Sequence, residues 1–188
     1  SIVPCGRAFE HACRLVEKRR KLGLGIHLTL VEERPLLGPD ILKTLAPRGR
    51  LPRGYRQLFF GLMKGRIDSE EIALDLGAQI QRVMKAGLAI SHLDSHQHAH
   101  FFPPIRKTLF RLAAHYEIPA LRAGGRVVPS PTKFSLLLAP LAKSVQRAAR
   151  SRGLKTPDTL WLLSERPHHL ARSDRGYTEA SRGCDRAR

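Results

Sequence analysis

Four of the nine histidines fall in one short run, His92-Leu93-Asp94-Ser95-His96-Gln97-His98-Ala99-His100. His92, Asp94, His96, His98 and His100 share one parity, so an extended segment would project all five side chains to one side. Packing imidazoles and a carboxylate at the end of an apolar strand is costly unless they bind something, because buried polar groups need partners. A divalent metal is the obvious candidate. Imidazole nitrogens with one or two carboxylates are a common site for such ions, and a catalytic site keeps a position open for water. The other reading of the run is a solvated histidine-rich loop or an adventitious metal tract. His27 stands alone in an apolar stretch, and by itself it suggests no more than an ordinary strand residue.

The surrounding pattern says how these residues would be held. Phe9, Ala12 and Val16 recur at helical spacing within residues 7 to 20. Leu22 to Val31 reads as a short, nearly continuous apolar strand of the kind covered on both faces in a parallel sheet. Residues 32 to 52 are rich in Pro and Gly and predict a long loop, a class of loop that is often functional. Asp68-Ser69-Glu70-Glu71 looks like a helix start, Ile72, Leu76, Ile80 and Val83 continue the stripe, and Gly87 should end it. Leu88 to Asp94 predicts a second strand, Pro103-Pro104 the first turn of a helix reaching about Tyr116, and Ile118 to Ala123 a third short strand. A helix over 133 to 151 and a weak strand over Thr159 to Leu163 follow. Helix and strand alternate, which predicts an α/β fold with a mostly parallel sheet. Gly25 to Val31 and Leu88 to Asp94 are expected to be parallel neighbours or near-neighbours, with His27 and His96 brought within about 7 Å at their C-terminal ends.

Composition narrows the classes. A chain of 188 residues with 42% hydrophobic residues fits one folded domain, expected over 1 to 163, with an irregular basic tail from 164 to 188 that is disordered or frame-shifted. No apolar run approaches the roughly 20 residues of a membrane-spanning helix. Cys5, Cys13 and Cys184 show no paired spacing, which suits a reducing, cytoplasmic setting. The net charge is +17. Residues 101 to 160 contribute 11 basic and 2 acidic residues, spread among helices and loops without a recognition motif. Nucleic acid is therefore not the expected partner, although a basic module for anionic lipid or nucleic acid is the alternative from another class. Peripheral contact with an anionic membrane and oligomer formation stay open.

Gly25-Ile26-His27-Leu28, Pro35-Leu36-Leu37-Gly38-Pro39, Gln79, the run from Ser91 to His100 with Pro103, and Leu121-Arg122 together resemble the YdjC/ChbG-like family of carbohydrate deacetylases. Gly25 to Val31 followed by Glu32-Glu33-Arg34-Pro35 is similar to the hopanoid-biosynthesis branch often called HpnK. The resemblance implies an irregular (β/α) barrel of the polysaccharide-deacetylase-like type, incomplete in this chain. It implies removal of an N-acetyl group from an amino sugar or glycolipid, a hopanoid glycoside among the options. His27 and His96 are by that pattern the metal ligands. The resemblance points to Mg2+, while histidine donors point to Zn2+ or a late transition metal. His98 and His100 would orient ligands, bind substrate or protonate the leaving amine; Asp94 would hold a histidine tautomer or stand in as base; Arg122 would bind a sugar oxygen or an oxyanion.

The sequence departs from the family in two places. The family's Thr-Ala-Asp-Asp-Phe-Gly-like motif, source of a third ligand and of the base, does not occur, so a preceding segment is expected to carry it. Beyond Ser164 the family's later Glu-Ile-Tyr-x-His-Pro-like motif is replaced by an Arg-, Ser- and His-rich stretch. A metal-binding but catalytically dead fragment is accordingly a further reading.

Overall fold

The computed structural model describes residues 1–19, 21–123, 126–128 and 133–161. Helices and strands alternate through them: α1 (Phe9–Glu17), β1 (Leu24–Leu28), α2 (Tyr55–Met63), α3 (Ser69–Lys85), β2 (Ile90–Ser95), a 3-10 segment (His96–Phe101), α4 (Pro103–His115), β3 (Arg126–Val128), α5 (Lys133–Arg150) and β4 (Thr159–Trp161). The order is that of an α/β fold with parallel strands.

β1 and β2 pair in parallel, with His27 opposite Asp94 and Leu28 opposite Ser95. Three isolated parallel bridges extend this pair. Ile2 joins β1 at Ile26, Leu121 joins β2 at Leu93, and Ala120 joins Lys155. β3 and β4 form a separate parallel pair. Ile26, Leu28 and Leu93 are fully buried, as expected for parallel strands covered on both faces.

Local signals explain the helices. The Asp68 side chain accepts the Glu70 N–H and caps α3, satisfying one of the orphan donors of the first turn. The apolar stripe Ile72, Leu76, Ile80 and Val83 is buried. Gly87 follows the helix with φ +72°, the left-handed conformation that only glycine adopts cheaply. α4 begins with Pro at its first turn, where the missing N–H costs nothing.

Two expectations are corrected, and one helix that the sequence reading did not name is added. The third strand at 118 to 123 is reduced to the single bridges at Ala120 and Leu121, and the regular strand lies at Arg126–Val128. α2 falls in a Gly- and Pro-flanked stretch that carries no helical start signal; its N-cap is Gly54 with no capping side chain. The run after Ser95 leaves the extended conformation, so the shared parity of His96, His98 and His100 does not place them on one side. The strand expected from Thr159 is described to Trp161. Its last two residues and the 164 to 188 tail lie outside the described residues.

Candidate functional site

The site is built where β1 and β2 end. Register pairing puts Gly25, His27, His92 and Asp94 on one face. Gly25 is needed there because a Cβ would run into the His92 ring. His27 Nδ1 lies 2.7 Å from Asp94 Oδ2, and Asp94 Oδ1 lies 2.7 Å from an Arg122 guanidinium nitrogen. That second contact is an ion pair rather than an aligned hydrogen bond, since Asp94 Oδ1 and Arg122 Nε both lack a hydrogen-bond partner. Burial pushes the Asp94 carboxyl up, but the His27 hydrogen bond and the Arg122 charge outweigh it and hold the group below the usual aspartate range.

His27 Nε2 faces His96 Nδ1 at 3.2 Å. On its other side His96 Nε2 lies 3.0 Å from Glu32 Oε2. The His96 hydrogen bond, helped by Gln97, holds Glu32 below the usual glutamate range against the effect of its burial. Two ionised carboxylates have no proton to give, so His27 Nδ1 and His96 Nε2 must donate. The remaining nitrogens then direct lone pairs at each other. A proton or a cation between them removes the repulsion, and 3.2 Å is a span two imidazole nitrogens bridge when each stands about 2.0–2.1 Å from one ion.

A carboxylate behind each histidine is the usual outer arrangement of a metal-binding imidazole. His27 and His96 therefore fit a divalent ion as two of its ligands. Among the described residues no three His, Cys, Asp or Glu side chains converge to hold an ion, so further ligands would be water, substrate or groups beyond this set.

The backbone around the pair is strained. Four non-glycine residues have positive φ among the described residues: Glu32, Gln97, His98 and Glu117. Three of the four are at this site. Gln97 Nε2 donates to Glu32 Oε1 at 2.6 Å, and Gln97 Oε1 accepts the Tyr55 N–H. Such conformations cost about 1–3 kcal/mol each and tend to cluster at functional sites. His96 follows directly on β2, and the left-handed pair at 97 and 98 comes immediately after it.

His98 and His100 are not part of the facing pair. The His98 ring stacks on Phe101; burial and then Arg122 lower its pKa to about 4. His100 is fully buried. Burial, then His98, push it down to about 3, and its Nδ1 lies 2.5 Å from Ser95 Oγ. Both are neutral near neutral pH.

Sequence reasoning gave Glu32 no role at the site, naming it only at the start of a loop and within the Glu32-Glu33-Arg34-Pro35 motif. It named Gln79 only as part of the family pattern and missed the polar row on α3 to which Gln79 belongs, which shapes this loop. Glu71 accepts the N–H groups of Thr44 and Leu45, Asp75 accepts that of Leu36, and Gln79 bonds both N–H and C=O of Thr29. All three residues are buried. Spacing of four residues between polar positions, beside the apolar stripe, was the available signal.

The chain is thus an α/β protein with two carboxylate-backed histidines facing each other at the ends of parallel strands. A family described as YdjC-like protein matches residues 1–180, and the chain belongs to that family. It is 37% identical over 127 residues to a carbohydrate deacetylase of Halalkalibacterium halodurans, covering 68% of this chain and 52% of the relative. A carbohydrate deacetylase of Brevibacillus brevis is 37% identical over 111 residues, 59% of this chain and 42% of the relative. The chain spans about half the length of the curated relatives it matches. The fold is similar to the crystal structure of a proposed cellobiose-phosphate cleavage protein from Enterococcus faecalis, with TM-score 0.59 and 22% identity over 82% of this chain and 53% of the other.

Proposed function

We propose that this chain carries part of the active site of a metal-dependent carbohydrate deacetylase, which hydrolyses the N-acetyl group of an amino sugar or glycolipid. The deacetylase relatives support the reaction class. The observation that carries the metal is the pair of imidazole nitrogens facing at 3.2 Å, each ring backed by a carboxylate.

An ion held by His27 and His96 would polarise the acetamide carbonyl and lower the pKa of a bound water. Asp94 and Glu32 fix the tautomers that aim the two rings. Arg122 is about one-third exposed at the Asp94 carboxylate and offers guanidinium N–H groups to a sugar oxygen or a developing oxyanion. Neutral His98 would accept a substrate hydroxyl or orient a ligand; His100 supports the turn through Ser95. Mg2+ follows from the family and Zn2+ from the imidazole donors. A barrel, a hopanoid glycoside substrate and a cytoplasmic location belong to the same reading.

A second reading, metal binding without catalysis, is favoured by one observation: Asp94 and Glu32 are both engaged with histidines, which leaves neither as a free base. Metal analysis of protein purified without chelator, together with acetate release from N-acetylglucosamine-containing substrates, separates the two. Metal lost in His27→Ala and His96→Ala supports the site. No divalent ion bound by the unaltered protein would overturn it.

A further inference from the structure

The histidine site leaves unexplained the charge beside it. Between Ile41 and Ile67 the sequence holds seven basic residues and no acidic one. Five of them, Arg48, Arg50, Arg53, Lys64 and Arg66, line a cleft of about 890 Å3 whose one carboxylate is Glu32, and Glu32 is already bonded to His96 and Gln97. Among the described residues none of the seven forms an ion pair.

The basic residues of 101 to 160 differ. Arg106 donates to Ser144, Arg111 pairs with Glu70, Arg122 with Asp94 and Arg150 with Asp158, while Arg152 lies over the Phe110 ring. Five of the eleven cations of that region are thus engaged within the fold, three of them in ion pairs, whereas the cleft gathers five cations, none of them in an ion pair among the described residues.

α2 forms one wall of the cleft. Leu58 is buried, and Phe59 packs on Phe102 with ring centroids 4.9 Å apart. Phe60 and Met63, three residues apart and so on one face, are 54% and 69% exposed. Arg56 lies one turn before Phe60 on the same face, and Lys64 follows Met63. Single exposed apolar residues are ordinary. Two large ones on one helix face, ringed by unpaired cations, match a helix that lies at a lipid–water boundary. An acidic protein would satisfy the cations but would also need an apolar pocket for Phe60 and Met63. An anionic bilayer offers headgroup charge and an acyl boundary at once.

We propose that α2 and the basic rim of the cleft dock this protein on an anionic lipid surface, with the histidine site beside the headgroup layer. Glu32, which lines the cleft, and the Tyr55 N–H to Gln97 hydrogen bond link the docking face to the site. The inference stands apart from the deacetylase reading, because it is tested by partitioning and not by turnover.

The test is sedimentation of the 188-residue chain with vesicles of phosphatidylcholine, alone or mixed with phosphatidylglycerol. The mixed vesicles should carry the protein down and the neutral ones should not, with binding weakened by salt. Each basic residue near the surface is worth about a five-fold change in partition. Arg53→Glu with Arg56→Glu should therefore lower binding by at least about 25-fold, and Phe60→Asp with Met63→Asp should abolish most of it. Leu15→Asp with Leu22→Asp alters two other exposed apolar residues next to basic ones and should leave binding intact. Circular dichroism would confirm that each variant is folded. No binding to mixed vesicles, binding that survives both α2 double variants, or equal loss in the Leu15 and Leu22 variant would overturn the proposal.

Discussion

His27 and Asp94 are register partners on β1 and β2, and their side chains meet with Nδ1 2.7 Å from Oδ2. The contact joins two strands 67 positions apart in sequence, so the ring is aimed by the sheet itself and not by a loop. Asp94 is buried, and Arg122 compensates its second oxygen from the segment that bridges to β2.

Asp94→Asn should therefore weaken metal binding by about 10–100-fold, the usual cost of losing an outer partner of a ligating histidine. The Glu32→Gln change should cost less, because Glu32 is half exposed and water can replace part of its bond to His96. Calorimetric titration with Zn2+ or Co2+ checks both. Equal affinities in the two variants and the unaltered chain would show that neither carboxylate aims a ligand.

The polar row on α3 gives a prediction about stability. Gln79 is buried and holds both the N–H and the C=O of Thr29, while also donating to Asp75. Gln79→Leu would strand these groups without water, at about 1–3 kcal/mol for each unsatisfied one. Leu74→Ala, on the exposed side of the same helix, should change stability by no more than about 0.5 kcal/mol. Denaturant midpoints would show the difference, and a neutral Gln79→Leu would mean that the loop is held by other contacts.

The sequence showed the helix α3, the parallel pairing and the approach of His27 to His96, because caps, apolar stripes and continuous apolar runs are local signals. It did not show Glu32, whose role depends on a positive φ and on a loop closed by α3. Parity misled at His96, His98 and His100. Parity holds only while the chain stays extended, and the left-handed pair Gln97 and His98 ends that condition. Counting charge along 101 to 160 could not show which of its cations the fold would pair, as it does Arg111, Arg122 and Arg150.

Acid should destabilise the protein through His100. Its folded pKa is lowered from the ordinary 6.5 to about 3 by complete burial. Above the unfolded value both states are neutral and the residue contributes nothing. As pH falls from 6.5 toward 3 the unfolded chain takes up a proton that the folded chain refuses, so stability drops by at most about 1.4 kcal/mol per pH unit. Below the folded value the loss levels off. His100→Asn should flatten this part of the stability profile relative to the unaltered chain. Parallel profiles measured by chemical denaturation between these limits would show that His100 does not titrate in that window.

The last prediction concerns turnover. Deacetylation needs a base to take the proton from the attacking water as well as a group that polarises the carbonyl. Asp94 is buried, hydrogen-bonded to His27 and paired with Arg122, and it is held below the usual range, so it is a weak base with no open approach. Glu32 is similarly engaged with His96 and Gln97. His98 has a pKa of about 4 and is a weak base as well. This chain should therefore release acetate about 10²–10⁴-fold more slowly than a relative that has a positioned base. The comparison is made with the Halalkalibacterium halodurans deacetylase on one N-acetylglucosamine-containing substrate, each protein loaded with the same divalent ion. If this chain turns over at a comparable rate and Asp94→Asn removes that activity, Asp94 serves as the base and its engagement with His27 must loosen when substrate binds.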